Sequence, residues 1–192
     1  MKETLKLGII LLLFSVFAAG VLGFTNKITS PIIDQRQKEE TEAAYKELVP
    51  DADEFVQLDP DKLSSLQAQF GKLVEVIIAK KDGTTNGALI TTKGGGYGGD
   101  ITILTGVDAE GKMIGIKILD HKETPDIGTK IEHKDFQDEF VGLSATENAT
   151  LVATKKDAQD VEKISGSTVS SKGVMAAVNL AIDTYKELVN EL

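Results

Sequence analysis

The chain has 192 residues, which suits one globular domain with an extra segment and is short for a two-domain enzyme. It carries 30 acidic and 21 basic residues, and the resulting net charge of −9 argues against a surface that binds nucleic-acid phosphates. Without cysteine and with only two histidines, it offers no disulfide or thiolate site, and the sequence indicates no metal ligands.

The first predicted element is a membrane anchor. Residues 7–24 form an uncharged apolar run of 18 residues, preceded by Lys2 and Lys6. This length reaches the minimum for a membrane span. A cleaved signal peptide is the alternative, with residues 21–23 as the cleavage site, but the apolar part of such peptides usually spans only about 7–15 residues. We expect residues 1–27 to anchor the chain in the cell membrane once, with the N-terminus cytoplasmic and the rest extracytoplasmic.

A helical connection follows the anchor. Pro31 opens a stretch rich in Glu, Lys, Gln and Ala that ends at Pro50, which predicts a helix over residues 32–48. Residues 28–50 are therefore either a stalk or a surface helix packed on the domain, and the pattern favours neither. A domain then covers residues 51–192, beginning with aspartate-rich turns and a weak helix near residues 61–70.

The centre of the domain has the pattern of a sheet. Short β-branched runs occupy residues 73–79, 88–92, 101–107 and 113–119, and turn residues separate them. Connections this short favour antiparallel hairpins. A C-terminal helix starts near Ser170, with an apolar stripe at residues 174, 178, 182, 185 and 189. The predicted fold class is α+β, a mainly antiparallel sheet packed with helices and preceded by one transmembrane helix.

Three polar stretches are the candidates for a site. Residues 165–171, Ser-Gly-Ser-Thr-Val-Ser-Ser, precede the C-terminal helix, where free N–H groups bind anions, although helix capping explains the same residues. Residues 93–100 contain five glycines and one tyrosine, which suits either close approach of a planar ligand or a hairpin turn. Residues 120–128 form a polar loop in which His121 and Glu123 are too near in sequence to establish an acid–base pair.

The order of these stretches resembles the FMN-binding domain shared by two proteins, the G subunit of Rnf ion-translocating electron-transport complexes and the C subunit of sodium-translocating quinone reductases. The matching motifs are Gly-Tyr-Gly-Gly at 96–99, Glu-Thr-Pro-Asp-Ile-Gly at 123–128 and Ser-Gly-Ser-Thr at 165–168. The resemblance extends to the N-terminal membrane helix, and the chain length is similar to that of the Rnf protein.

The resemblance implies one FMN per chain, joined through its phosphate to the hydroxyl of Thr168 by a separate flavin transferase. It places Glu123 and Thr124 beside the flavin ring, with Tyr97 as a further wall. The phosphodiester would keep one negative charge, which suits a helix N-terminus. The residues expected to surround it are Ser165, Gly166, Ser167 and Ser170. No catalytic residue and no metal ligand is implied.

Two positions depart from the family pattern. Asp126 stands where the family loop usually has glycine, and we expect its carboxylate to point to solvent rather than to the flavin. Ser167 replaces the usual alanine before the acceptor, a small change that should still allow flavin attachment.

The leading hypothesis is an electron-carrier subunit of a membrane Rnf-type complex that transfers electrons between ferredoxin and NAD during ion translocation. Such a chain is a redox-active component rather than an enzyme alone, and its partners are the other proteins of the complex, the flavin transferase and membrane lipid. The alternatives are a stand-alone flavinylated carrier outside the cytoplasm and a cofactor-free tethered binding module.

Overall fold

The computed structural model describes residues 2–189. The elements are α1 (Lys2–Leu48), β1 (Glu54–Gln57), α2 (Pro60–Gln69), β2 (Leu73–Lys81), β3 (Thr84–Gly95), β4 (Asp100–Asp108), β5 (Met113–Asp120), a 3₁₀ helix (Gly128–Glu132), α3 (Lys134–Asp138), β6 (Thr150–Val152), β7 (Asp160–Glu162) and α4 (Thr168–Val189). The predicted anchor and domain also include Met1 and residues 190–192, which lie outside the described residues.

The N-terminal helix α1 is longer than the sequence predicted. It continues through Pro31, where a separate helix was expected to open, and the missing N–H of proline removes only one of its backbone hydrogen bonds. An 18-residue window of α1 has a mean hydropathy of 2.6 and none of it is buried, so α1 is long and apolar enough to cross a membrane. The chain divides into two compact units, Met1–Thr41 and Glu42–Leu192.

The second unit contains the predicted antiparallel sheet, with strand order β1-β2-β3-β4-β5. Four of the strands were predicted, and Asp82 and Gly83 form the first hairpin turn with positive φ angles of 51° and 78°. Strand β1 was missed because it has only four residues between turn-forming aspartates. It pairs with the outer edge of β2.

Helix α4 covers one face of the sheet. It begins at Thr168, two residues before the predicted start, and its residues Val174, Val178 and Ile182 are fully buried. Val189, the last residue of the predicted stripe, is instead 49% exposed, whereas Leu188 is fully buried. The prediction was wrong there because three and four residues after Tyr185 both fall near the stripe, and Leu188 is the one that faces the core.

The last turns of α1 cover the opposite face. From Glu42 onward they belong to the same compact unit as the sheet, and Ala44, Tyr45 and Leu48 pack with apolar residues of β2, β3 and β4. The Tyr45 hydroxyl donates to the Glu75 carboxylate at 2.8 Å. The sheet is therefore covered on both faces.

Candidate functional site

The glycine stretch forms the turn between β3 and β4, as one of the two interpretations expected. The Gly96 N–H donates to the Gly99 carbonyl at 2.7 Å, and Tyr97 at the tip is 76% exposed. A Cβ at Gly98 would overlap the Lys122 carbonyl, and one at Gly96 would overlap the Glu123 carboxylate. These glycines let the turn lie directly against the loop that follows β5.

An exposed ion pair lies beside the same turn. Asp100 opens β4 and accepts a hydrogen bond from Lys72 Nζ at 2.9 Å. That hydrogen bond and the positive charge of Lys72 lower the pKa of Asp100 below its ordinary value of 3.8.

Glu123 connects all three sequence stretches. Its side chain is buried, with 6% of the residue exposed, and Oε1 accepts from the Gly98 N–H at 2.8 Å. Oε2 accepts from the hydroxyl of Ser170 in the first turn of α4. The glycine turn, the 121–128 loop and the start of α4 therefore meet at one carboxylate.

The loop around Glu123 is fixed by its own hydrogen bonds. The Glu123 N–H donates to His121 Nδ1 at 3.1 Å, and His121 Nε2 lies 2.8 Å from Glu132 Oε1. The Thr124 carbonyl accepts from the N–H of Gly128 at 2.9 Å, while the Thr124 side chain is exposed. His121 thus supports the loop as an acceptor for the Glu123 backbone.

Asp126 lies at the tip of this loop, and its side chain is exposed. Its φ is +59°, a left-handed conformation that glycine adopts without strain and that aspartate tolerates better than most residues. A glycine at this position would adopt the same backbone without strain.

Thr168 is the first residue of α4 and is half-buried. A turn at the exposed residues Ser165 and Gly166 precedes it, with Gly166 at φ +80°. The first backbone bond of the helix runs from the Ser171 N–H to the Ser167 carbonyl at 2.9 Å. Within residues 2–189, the N–H groups of residues 168–170 have no acceptor, which leaves three donors at the positive end of a 22-residue helix.

Ser167, just before Thr168, is 3% exposed, and its hydroxyl has no hydrogen-bond partner among the described residues. The hydroxyl of Ser170 is in a different situation, because its proton is donated to Glu123. Ser165 is the serine of this stretch that is open to solvent.

Three exposed apolar side chains flank this end of the domain: Tyr97, Ile127 and Val169 are 76%, 52% and 50% exposed. Each is next in sequence to a residue close to Glu123, namely Gly98, Gly128 and Ser170. The last two of the three were not identified from the sequence, because single exposed aliphatic residues carry no signal without the fold.

A close crossing between helix and strand places the start of α4 here. A Cβ at Gly94 would overlap the carbonyl of Gly173, and a Cβ at Gly173 would lie 2.6 Å from the Gly95 oxygen. Gly173 was missed by the sequence analysis. A lone glycine early in an otherwise regular helix is the signal that would have indicated a close approach.

Comparisons with known proteins agree with this arrangement. The family model of the FMN-binding domain matches residues 96–183, and that of the RnfG N-terminal region matches residues 1–48. The G subunit of the Na⁺-translocating ferredoxin:NAD⁺ oxidoreductase complex of Acetobacterium woodii is 33% identical, over 97% of this chain and 94% of the relative.

The chain belongs to the RnfG family. Another family member, the G subunit of the ion-translocating oxidoreductase complex of Salmonella typhimurium, is 30% identical over 94% of this chain and 90% of its own length. The fold of this RnfG member is also that of the C subunit of the Na⁺-translocating NADH-quinone reductase from Parabacteroides distasonis. That structure matches with a TM-score of 0.60 and 22% identity, over 80% of this chain and 84% of the other.

Proposed function

We propose that this chain carries FMN on Thr168 and passes electrons within a membrane Rnf-type complex, between ferredoxin and NAD. The observation that carries the proposal is the position of Thr168. It is a half-buried hydroxyl at the start of α4, beside three N–H groups that have no acceptor in the described part of the chain. Membership of the RnfG family favours this role over a stand-alone carrier.

The donors at the start of α4 suit a phosphate ester. A phosphodiester on Thr168 keeps one negative charge, and free N–H groups at a helix N-terminus stabilise such a charge by roughly 0.3–1 kcal/mol when exposed. Gly166 lets the chain turn closely around the ester, and the hydroxyls of Ser165 and Ser167 are further donors at hand. Ser170 contributes through Glu123, to which its proton is donated.

Exposed apolar side chains suit a planar ring next to the ester. We propose that Tyr97, with Ile127 and Val169, covers one part of the flavin, and that Thr124 and the backbone of Glu123 border another. The bound FMN supplies the redox chemistry, accepting and releasing electrons, while these residues hold it and limit the access of water.

The organisation of the chain follows from the same proposal. Residues 1–27 anchor it in the membrane with a cytoplasmic N-terminus. Residues 28–50 connect this anchor to residues 51–192, which form the FMN-binding domain outside the cytoplasm. The long apolar helix supports the anchor. The proposed partners are the other proteins of the complex, lipid around α1 and the flavin transferase that loads Thr168. Covalent attachment suits a carrier outside the cytoplasm, where released FMN would be lost by dilution.

The test is the mass of the full chain expressed with a flavin transferase, followed by peptide mapping. We expect one FMN adduct on the peptide that contains Thr168 and no adduct in Thr168→Ala. The control is Thr85→Ala, which replaces an exposed threonine on β3 and should leave the adduct normal. An adduct that persists in Thr168→Ala overturns the attachment site. A bare wild-type chain, with the transferase active on another substrate, leaves the cofactor-free binding module.

A further inference from the structure

Glu123 is a buried carboxylate that takes part in no ion pair within residues 2–189. Asp160 is the other buried acid of the described residues, and its carboxylate accepts hydrogen bonds from the backbone N–H groups of residues 156 and 157 in its own loop. Both Glu123 oxygens instead accept from other segments, Gly98 and Ser170. In this part of the chain both hydrogen-bond donors to the Glu123 carboxylate, the Gly98 N–H and the Ser170 hydroxyl, are neutral.

A charge in this position is costly. Burying a carboxylate without a counter-ion is unfavourable, and hydrogen bonds from neutral groups compensate for only part of that cost. A glutamine of the same shape would connect the same two segments without a charge. Hydrogen bonding between the two segments therefore does not by itself account for an acid at position 123.

The surrounding backbone is shaped to admit this side chain. A Cβ at Gly128 would lie 2.6 Å from both Cβ and Oε2 of Glu123, and a Cβ at Gly96 would overlap Oε1. The carboxylate thus lies against two segments that have no side chains, and through Ser170 it is two residues from the proposed attachment point.

We propose that Glu123 is a positioning residue that locks the glycine turn to the start of α4, and that its unpaired charge keeps the reduction potential of the flavin low. This inference rests on the proposed attachment of FMN to Thr168. A fixed negative charge disfavours the arrival of an electron nearby, and the effect is strong where water is excluded. The Glu123 carboxylate acts through Gly98 and Ser170 and through its electrostatic field, whereas the contact proposed above with the flavin is made by the Glu123 backbone.

The first test is the reduction potential of the flavinylated full chain, measured by redox titration of the flavin absorbance. Glu123→Gln keeps the shape and a hydrogen-bond partner for each segment, so we expect the adduct to remain and the potential to shift to a more positive value. The matched control is Asp126→Asn, which removes an exposed carboxylate from the same loop. We expect its shift to be smaller and to disappear at high salt, whereas the shift of Glu123→Gln persists.

The second test separates positioning from charge. Glu123→Ala removes both hydrogen bonds, and we expect the visible circular dichroism of the bound flavin to be lost or strongly reduced, with recovery in Glu123→Gln. An unchanged or more negative potential in Glu123→Gln, at a normal adduct yield, overturns the inference and leaves the proposed function intact. A wild-type chain without adduct refutes the proposed function instead, so the two failures are distinguishable.

Discussion

The contact between Gly94 and Gly173 gives the sharpest stability prediction. A methyl group at Gly94 would lie 2.8 Å from the Gly173 carbonyl carbon and 3.2 Å from the Ala177 Cβ, and it would overlap the Gly173 oxygen outright. Ordinary contact begins at 3.4 Å, so relieving the contact with the carbonyl carbon alone requires α4 to move by about 0.6 Å, and relieving the contact with the oxygen requires more. The obstacle is helix backbone, which has no rotamer to change.

We expect Gly94→Ala to lower the free energy of unfolding by about 3 kcal/mol, the upper part of the range for overpacked cores. The neighbouring Gly95→Ala is the matched control, because a Cβ there meets nothing within 4 Å. In a strand, replacing glycine with alanine should raise stability by up to roughly 1 kcal/mol. The two variants differ by one position and should differ in sign.

Denaturant unfolding of the full chain in detergent measures this difference. Tyrosine fluorescence is a suitable signal, since the chain has no tryptophan and Tyr45 and Tyr185 are buried in the second unit. Lifting α4 also separates Ser170 from Glu123, so the yield of flavin on Gly94→Ala should fall. Equal stability of Gly94→Ala and Gly95→Ala would refute the close crossing.

Three further outcomes are expected from single positions near the site. Ser167→Ala should raise the free energy of unfolding by about 1 kcal/mol, because it removes a buried hydroxyl that has no partner in residues 2–189; a loss of similar size in denaturant unfolding would contradict this. Asp126→Ala should lower the free energy of unfolding by about 1 kcal/mol because the backbone at this position has a positive φ, whereas Asp126→Gly should leave it unchanged. Equal losses in denaturant unfolding would implicate the aspartate side chain instead. Lys72→Gln should raise the pKa of Asp100 toward 3.8 in a carboxyl NMR titration. The ion pair stabilises the fold above pH 3.8, and this stabilisation is lost as the pH falls through the lowered pKa of Asp100. A titration midpoint of Asp100 that is unchanged in Lys72→Gln would show that Lys72 does not lower this pKa.

Local signals predicted much of this fold. Short β-branched runs and turn residues located four strands of the sheet, because both are read from neighbours within about ten residues. The same reasoning ended one helix before Pro31 and opened another there, since proline is a strong local breaker. Inside a long helix the loss of one hydrogen bond is tolerated, and α1 continues.

The candidate site was predicted in its parts but not in its connections. The three motifs were found because glycine, proline and hydroxyl residues are conspicuous, whereas the part played by Glu123 depends on Gly98 and Ser170, which lie 25 and 47 positions away. No pattern of neighbours indicates such contacts. Gly173 was overlooked as well: a lone glycine early in a helix indicates a close approach, but it does not identify the strand that the helix crosses.

Local departures from the rules of stability concentrate at this end of the domain. Within the described chain, Glu123 is a buried carboxylate that takes part in no ion pair, Asp126 has a left-handed backbone, and Ser167 is a buried hydroxyl without a partner. Helix α4 adds three N–H donors with no acceptor there. Natural sequences generally violate such rules where function requires it. A phosphate bound beside Thr168 would accept hydrogen bonds from the free N–H groups, and the charge of Glu123 would keep the reduction potential of the flavin low. The proposed cofactor therefore accounts for features that stability alone does not explain.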